Sequence, residues 1–296
     1  MTPPGEIKVR CAAKINLYLA VVEKRPDGFH EIETLFQPVG LFDEIVLREA
    51  AKGIELSGDD PGIPWDESNL CWKAASLILE EARVSRGVRI EVSKAIPAGA
   101  GLGGGSSDAA AVLAGIDRLL GLEMEAERLL DIGLEVGSDV PFFLFGRPAI
   151  GRGRGERLEE VEGLEDAWVV IVKPDIHIST GWAYGKLDFM LTRRESANKL
   201  RCLLKGLKDL PDTAVETCNS FQAAVIEEYP EIARILTVMS GASPAMAMMS
   251  GSGSACYAVT GEESKAVRIR ELLTGGGWWA VITRPVRRTL ELLQEG

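Results

Sequence analysis

Apolar residues at Ala109, Val112, Leu113, Ile116, Leu119 and Leu120 recur three and four positions apart, which predicts a helix over Ser107–Leu120. The same spacing predicts helices over Asn69–Arg83, with Ser68 as the cap, and near Met124–Ile132. Short apolar runs predict strands over Lys8–Cys11, Asn16–Val22, Phe36–Val39, Glu44–Arg48, Ile54–Ser57 and Val88–Val92. The charged, Gly-rich stretch Gly151–Gly163 reads as an exposed hairpin or a connection between lobes. Beyond it, a strand at Trp168–Val172 precedes helical patterns near Trp182–Phe189, Ala197–Leu207, Cys218–Glu227 and Ile232–Met239. Strands at Ala245–Met249, Ala255–Val259 and Trp279–Thr283 flank a helix at Glu262–Leu273. The blocks alternate without a regular βα repeat, which favours an α+β fold over a doubly wound sheet. At 296 residues the chain can hold two lobes, expected over 1–155 and 156–296.

Between the last strand of the first half and the Ser107–Leu120 helix lies Pro97-Ala98-Gly99-Ala100-Gly101-Leu102-Gly103-Gly104-Gly105-Ser106-Ser107-Asp108, with five glycines in seven positions. So little side-chain bulk lets backbone N–H groups approach an anion. The helix that follows adds unpaired first-turn N–H groups and the positive end of its dipole. The expected ligand is the phosphate chain of a nucleotide. No Gly-Lys-Ser/Thr closes the loop, so it is not a Walker A motif. Gly99, Gly101 and Gly104 fit a loose dinucleotide pattern, but Pro97 interrupts the strand that such a pattern requires.

The net charge of -11 argues against a general nucleic-acid binder, and it means that a polyanionic nucleotide needs local help. Backbone N–H groups, Lys14, Lys94 and a divalent cation would supply that help. The five cysteines are dispersed and include no C-x-x-C pair, as expected in a reducing compartment. No run of 18 apolar residues predicts a membrane span, and residues Met1–Arg10 carry no export pattern. A cytoplasmic monomer or homodimer is therefore expected. With only His30 and His177 present, a His-rich metal site is excluded.

Ala13-Lys14-Ile15-Asn16-Leu17-Tyr18-Leu19 reads as a strand that turns Lys14 and Asn16 to one face. A solvated edge strand is the plainer reading. Met249-Ser250-Gly251-Ser252-Gly253-Ser254-Ala255 is a glycine-serine turn that runs into a strand. Asp139, between Gly137-Ser138 and Val140-Pro141, is either a helix N-cap or a carboxylate projected from an apolar background. His30 follows a Pro-Asp-Gly turn signal, and His177 reads as a strand or loop residue rather than a catalyst.

Pro97, Gly101-Leu102-Gly103 and Ser106-Ser107 resemble the phosphate-binding motif of the galactokinase, homoserine kinase, mevalonate kinase and phosphomevalonate kinase superfamily, the GHMP kinases. The Lys14 and Ser250–Ser254 segments resemble that family's other two motifs, in the same order. Asp27-Gly28-Phe29-His30, Thr34-Leu35-Phe36-Gln37 and Gly137-Ser138-Asp139-Val140-Pro141 are similar to segments of one branch of the family. That branch phosphorylates the 2-hydroxyl of a cytidine diphosphate-linked methylerythritol, in non-mevalonate isoprenoid synthesis. Phe29 stands where Tyr is usual.

The resemblance implies a two-lobed fold: a β-rich N-terminal lobe carrying the Gly-loop helix, and a C-terminal α/β sandwich. It implies ATP as co-substrate with Mg2+, and a small-molecule cytidine diphosphate-linked polyol as partner, with no nucleic acid and no membrane. Lys14 and Asp139 would be the catalytic pair, with Asp139 either taking the hydroxyl proton or orienting the hydroxyl. ATP would meet Pro97, Ala98, Gly99, Ala100, Gly101, Leu102, Gly103, Gly104, Gly105, Ser106 and Ser107. Asn69, Leu70 and Lys94 would lie at the adenine pocket. Asn16, Phe29, His30, Thr180, Tyr184 and Asp139 would contact the substrate. Metal ligands are open, with Ser106 or Ser107 and water as candidates; Asp108 is read as a helix cap. The alternatives are a homoserine- or mevalonate-type kinase, or an inactive ligand sensor.

Overall fold

The structure is a computed structural model that describes residues 5–187, 193–207 and 217–293. The first half forms β1 (Glu6–Lys24), β2 (His30–Ala50), β3 (Ile54–Gly58), α1 (Leu70–Glu81), β4 (Gly87–Ser93), α2 (Gly104–Leu120), α3 (Ala126–Val136), α4 (Val140–Phe145), β5 (Ala149–Gly153) and β6 (Arg157–Glu160). The second half forms β7 (Trp168–Lys173), α5 (Thr180–Gly185), α6 (Arg193–Gly206), α7 (Gln222–Glu228) and α8 (Pro230–Gly241). It continues with β8 (Met246–Met249), β9 (Cys256–Thr260), α9 (Glu263–Gly275), β10 (Trp279–Thr283) and β11 (Leu290–Leu293).

Two sheets organise these elements. One has the order β11-β1-β2-β4-β3, with the β5–β6 hairpin joined to β2; the other has the order β10-β7-β9-β8. The expected division after residue 155 falls in the turn of the β5–β6 hairpin, and β11 returns the end of the chain to β1. The four expected strands within residues 8–48 are two long strands, β1 and β2, paired antiparallel. Their register shifts between Ala12/Ala13 and Asn16/Tyr18 change which face each parity serves, and this breaks the apolar pattern into pieces.

Layering follows from alternation. Val9, Ile45, Leu47 and Ile90 pack on Ala74, Ile78, Val112 and Ile116 of α1 and α2. Ala13, Ile15 and Leu17 pack instead on Val169, Ile171 and Val259 of the second sheet. Val170 and Val172, at the other parity of β7, face Ile232, Ile235, Ile269 and Leu273 of α8 and α9. Burying each such side chain contributes ~1.5–3 kcal/mol, so the sheet-to-sheet layer holds the lobes in one arrangement. The Tyr257 hydroxyl donates to the Asn16 carbonyl (2.8 Å) and ties β9 to the middle of β1.

Two local expectations need correction. Asn69, not Ser68, caps α1: its Oδ1 accepts from the Cys71 N–H (2.9 Å), while the Ser68 hydroxyl donates to Asp66. Helix α2 begins at Gly104, so Asp108 lies a full turn inside it and caps nothing. The expected helix end at Phe189 lies outside the described residues.

Candidate active site

The Gly loop is fastened through its carbonyls. The Leu102 oxygen accepts from Lys14 N–H (2.9 Å), Ala100 from Ala255 N–H (3.0 Å), and Gly101 from the Ser250 hydroxyl (2.9 Å). No N–H from Gly99 to Ser106 donates to a protein acceptor among the described residues. A loop that turns its carbonyls into the protein presents its N–H groups to the cleft, which is the arrangement an anion needs. The glycines are required for this. Gly103, at φ 75, would place a Cβ 2.7 Å from Phe143 Cζ, and a Cβ on Gly101 would collide with the Ser250 carbonyl oxygen.

The same loop lies over Lys14. Between the two register shifts, Ala13, Ile15 and Leu17 face the second sheet, so Lys14 and Asn16 face the cleft. Lys14 Nζ donates to Asn16 Oδ1 (2.7 Å), Asn16 Nδ2 donates to Thr34 Oγ1 (2.8 Å), and Thr34 Oγ1 donates to the Tyr18 carbonyl (2.7 Å). Asp139 arrives at the start of α4, whose first turn carries Pro141. Its side chain makes no capping bond and is 34% exposed; Oδ2 lies 3.7 Å from Lys14 Nζ. Asp139 thus occupies the N-cap position of α4 without its side chain serving as the cap. Burial lowers the Lys14 pKa below the ordinary lysine value, and Asp139 opposes that shift.

At the other end of the cleft, His30 stacks on Tyr184, with centroids 4.5 Å apart and planes at 20°. Tyr184 meets Phe221 edge-on at 4.8 Å. Burial, with Lys24 adding to it, lowers the His30 pKa, so the imidazole is neutral at pH 7. Burial and the Asp139 charge push the Tyr184 phenol up to about 12. Phe29 is 47% exposed, and the Arg154 guanidinium lies 3.9 Å over its ring. Thr180 Oγ1 is 3.1 Å from Ser252 Oγ.

One cleft of about 1010 Å³ joins the Gly loop, Lys14, Asp139 and the aromatic end. It also takes in Asn16, Leu70, Ser106 and Thr180. Several expected residues do not line it. Lys94 is the clearest correction: its ammonium is buried between the Asp43 and Asp108 carboxylates, so its charge is already matched. Ser107 is buried and donates to the Ala12 carbonyl (2.7 Å), Leu102 is core, and Ala98 stands at the exposed rim. The Asn69 side chain is engaged by Cys71 N–H and the Pro64 carbonyl. Lining residues not proposed from the sequence include Lys24, Ser138, Arg154 and His177. His177 follows β7 and lies against Gly99.

This combination of a loop with outward N–H groups, a Lys–Asp pair with only the lysine buried and a two-lobed α+β frame defines a small-molecule phosphotransferase. The GHMP kinases N terminal domain profile matches residues 69–147, and the GHMP kinases C terminal profile matches residues 197–275. A 4-diphosphocytidyl-2-C-methyl-D-erythritol kinase of Geobacter sp. (strain M21) is 36% identical over 283 residues, covering 95% of this chain and 99% of the relative. The same kinase of Exiguobacterium sibiricum is 39% identical over 272 residues, covering 91% and 94%. A crystal structure of 4-(cytidine 5'-diphospho)-2C-methyl-D-erythritol kinase aligns with TM-score 0.79 at 34% identity, covering 93% of this chain and 98% of that one. A homoserine kinase from Cytophaga hutchinsonii shares the fold, with TM-score 0.79 at 21% identity and 99% of each chain covered.

The chain belongs to the GHMP kinase family, and within it to the 4-diphosphocytidyl-2-C-methyl-D-erythritol kinases. It is a small-molecule kinase with ATP as co-substrate. Among the described residues no helix is long and apolar enough to cross a membrane.

Proposed function

We propose that this chain transfers the terminal phosphoryl group of ATP to the 2-hydroxyl of 4-diphosphocytidyl-2-C-methyl-D-erythritol, a step in non-mevalonate isoprenoid precursor synthesis. The observation that carries the reading is the 3.7 Å Lys14–Asp139 pair at the mouth of the Gly loop, in one cleft with the His30–Tyr184 stack.

Phosphoryl transfer asks the protein for positioning and charge stabilisation. The Gly-loop N–H groups hold the nucleotide phosphates. Asp139 accepts the proton of the attacking hydroxyl, or a hydrogen bond from it that fixes its line of attack. The Lys14 ammonium, fixed by Asn16 beside Asp139, stabilises charge developing on the alkoxide. Asn16 serves the reacting end through Lys14, since its oxygen and one amide direction are already engaged.

Phe29 and Tyr184 offer ring faces to the cytosine, and His30 lies beside them in the cleft, where the polar edge of the base would come. His30 and Tyr184 are already in contact, so the base does not pass between those two rings.

Among the described residues no cluster of three or more His, Cys, Asp or Glu side chains could cage a metal. That fits Mg2+, which binds mainly through substrate phosphates with one or two protein oxygens and water. Ser106, which lines the cleft, would supply such an oxygen; the Ser107 hydroxyl and the Asp108 carboxylate are engaged elsewhere. Bound there, the ion would neutralise phosphate charge.

The test is ATP consumption with 4-diphosphocytidyl-2-C-methyl-D-erythritol, homoserine and mevalonate in parallel. The reading expects turnover with the first alone. Turnover with homoserine or mevalonate instead would overturn it, and activity with none would favour a ligand sensor.

A further inference from the structure

Around the β5–β6 hairpin, the basic side chains are matched to acids. Arg25 pairs with Asp27 and Glu31, Arg152 with Glu33 and Glu159, and Arg157 with Glu31. Arg154, in the hairpin turn, differs. No carboxylate pairs with its guanidinium among the described residues, although the chain carries a net charge of -11. Glu156, two residues on, accepts from the backbone N–H of Arg154 (2.5 Å) rather than from its side chain. The guanidinium instead turns into the cleft. Nε and Nη2 donate to Ser138 Oγ at 3.2 and 2.9 Å, and Cζ lies 3.9 Å over the Phe29 ring.

Arg154 thus touches Phe29 at one end of the cleft and, at the other, the residue next to Asp139. The substrate proposed above has its parts in a fixed order: base, ribose, diphosphate, polyol. The cleft has a matching order: Phe29 and His30, then Arg154, then Asp139 and Lys14.

We propose that Arg154 binds the diphosphate of the cytidine diphosphate-linked substrate, in the span between the base at Phe29–His30 and the reacting hydroxyl at Asp139. This rests on the functional reading above. A guanidinium carries five N–H donors, and the two groups facing Ser138 leave others for phosphate oxygens. In a strongly acidic protein, a diphosphate gains from a cation that no carboxylate pairs with directly. The ring of Phe29 and the Ser138 hydroxyl fix the plane of the fork in advance, which lowers the entropic cost of binding. Lys24, which also lines the cleft, adds positive charge at the same end.

The experiment is calorimetric titration of CDP and of cytidine into the wild type, Arg154→Gln and Arg154→Lys, with KM for ATP and for the full substrate measured on each. Thermal unfolding checks that each variant is folded. Wild type should bind CDP more tightly than cytidine. Arg154→Gln should weaken CDP roughly tenfold or more, the scale of one or two charge-assisted hydrogen bonds, with cytidine and ATP changed less than about twofold. Arg154→Lys should recover part of the CDP affinity, because the charge returns without the fork.

Unchanged CDP affinity in Arg154→Gln would overturn the proposal. So would an equal loss of CDP and cytidine, which would assign Arg154 to holding Phe29. A rise in KM for ATP alone would assign it to the other nucleotide, and overturns the proposal too. If wild type turns over the substrate and Arg154→Gln changes nothing, only this assignment falls. If wild type neither binds CDP nor turns over the substrate, the functional reading falls with it.

Discussion

Lys14 Nζ sits 3.7 Å from Asp139 Oδ2 while donating a 2.7 Å hydrogen bond to Asn16 Oδ1. The lysine is buried, whereas the carboxylate is partly open to the cleft. The cation is therefore the fixed member, and the acid is the one that can reach a substrate. Asp139→Asn should lower kcat by roughly 10²–10⁴, the usual range for a lost general base, while KM for ATP stays near wild type. Steady-state kinetics on the folded variant checks this; a near-normal kcat would remove Asp139 from catalysis.

The Lys14 environment sets an alkaline limit. Burial lowers its pKa below the ordinary lysine value, so loss of its proton should give kcat a falling limb below pH 10.5. The Asn16 oxygen accepts from the ammonium and favours the charged form. Asn16→Ala should therefore move the limb to lower pH. A pH–kcat profile of both proteins measures it, and an unmoved limb would show that Asn16 does not support the charge.

The phosphate cradle can be probed without disturbing the core. A Cβ on Gly103 would press on buried Phe143 and on Lys14, so Gly103→Val harms folding as well as binding. Gly105 is exposed in the cleft, and a Cβ there meets only Leu70 Cδ1 at 3.7 Å. Gly105→Val should raise KM for ATP on the order of tenfold or more, while stability changes within about 0.5 kcal/mol. Denaturant melts and ATP kinetics on one preparation separate the two effects.

Much of this site was legible because its chemistry is local. The Gly loop, the Lys14–Asn16 alternation and the Gly-Ser-Asp segment are contiguous in sequence; composition pointed the loop to an anion, and the resemblance to the GHMP kinases supplied the expected roles of Lys14, Asn16 and Asp139. What depended on pairing across the fold was not legible. Lys94 reads as a spare cation until Asp43, 51 positions away, is brought to it. Arg154 sits in a charged, Gly-rich hairpin that reads as surface, and only its approach to Phe29 and Ser138 turns it inward. The end of the chain was missed for a similar reason: β11 is four residues long and becomes a strand by pairing with β1. Helix α4 is apolar throughout, so periodicity had no contrast to work on.

The buried Lys94 cluster predicts two different stability effects. Asp43 receives the Lys94 ammonium and accepts from the N–H groups of Ala95 (2.6 Å) and Ile96 (2.8 Å). Asp43→Ala leaves both N–H groups unmatched and the ammonium with Asp108 as its remaining carboxylate, and should cost about 2–6 kcal/mol in denaturant unfolding.

Asp108 behaves otherwise. Burial, with the Asp43 charge adding and Lys94 opposing, pushes its carboxyl up to about 7 from an ordinary 3.8. The fold thus favours the protonated form. Its stabilising contribution is full below about pH 4 and falls as pH rises to about 7. Asp108→Asn should remove that slope, so the variant's stability relative to wild type should rise through this window and then level off. A difference independent of pH would contradict the shift.

The central claim is that this cleft moves a phosphoryl group from ATP to the cytidine-linked polyol through Asp139. Phosphorus NMR of wild type and Asp139→Asn, each with ATP, Mg2+ and 4-diphosphocytidyl-2-C-methyl-D-erythritol, tests it most directly. The account predicts that wild type converts ATP to ADP in step with a new phosphomonoester on the substrate. It predicts that Asp139→Asn produces the same species only very slowly. ATP consumed to free phosphate with no phosphomonoester, or equal rates in the two proteins, would contradict it.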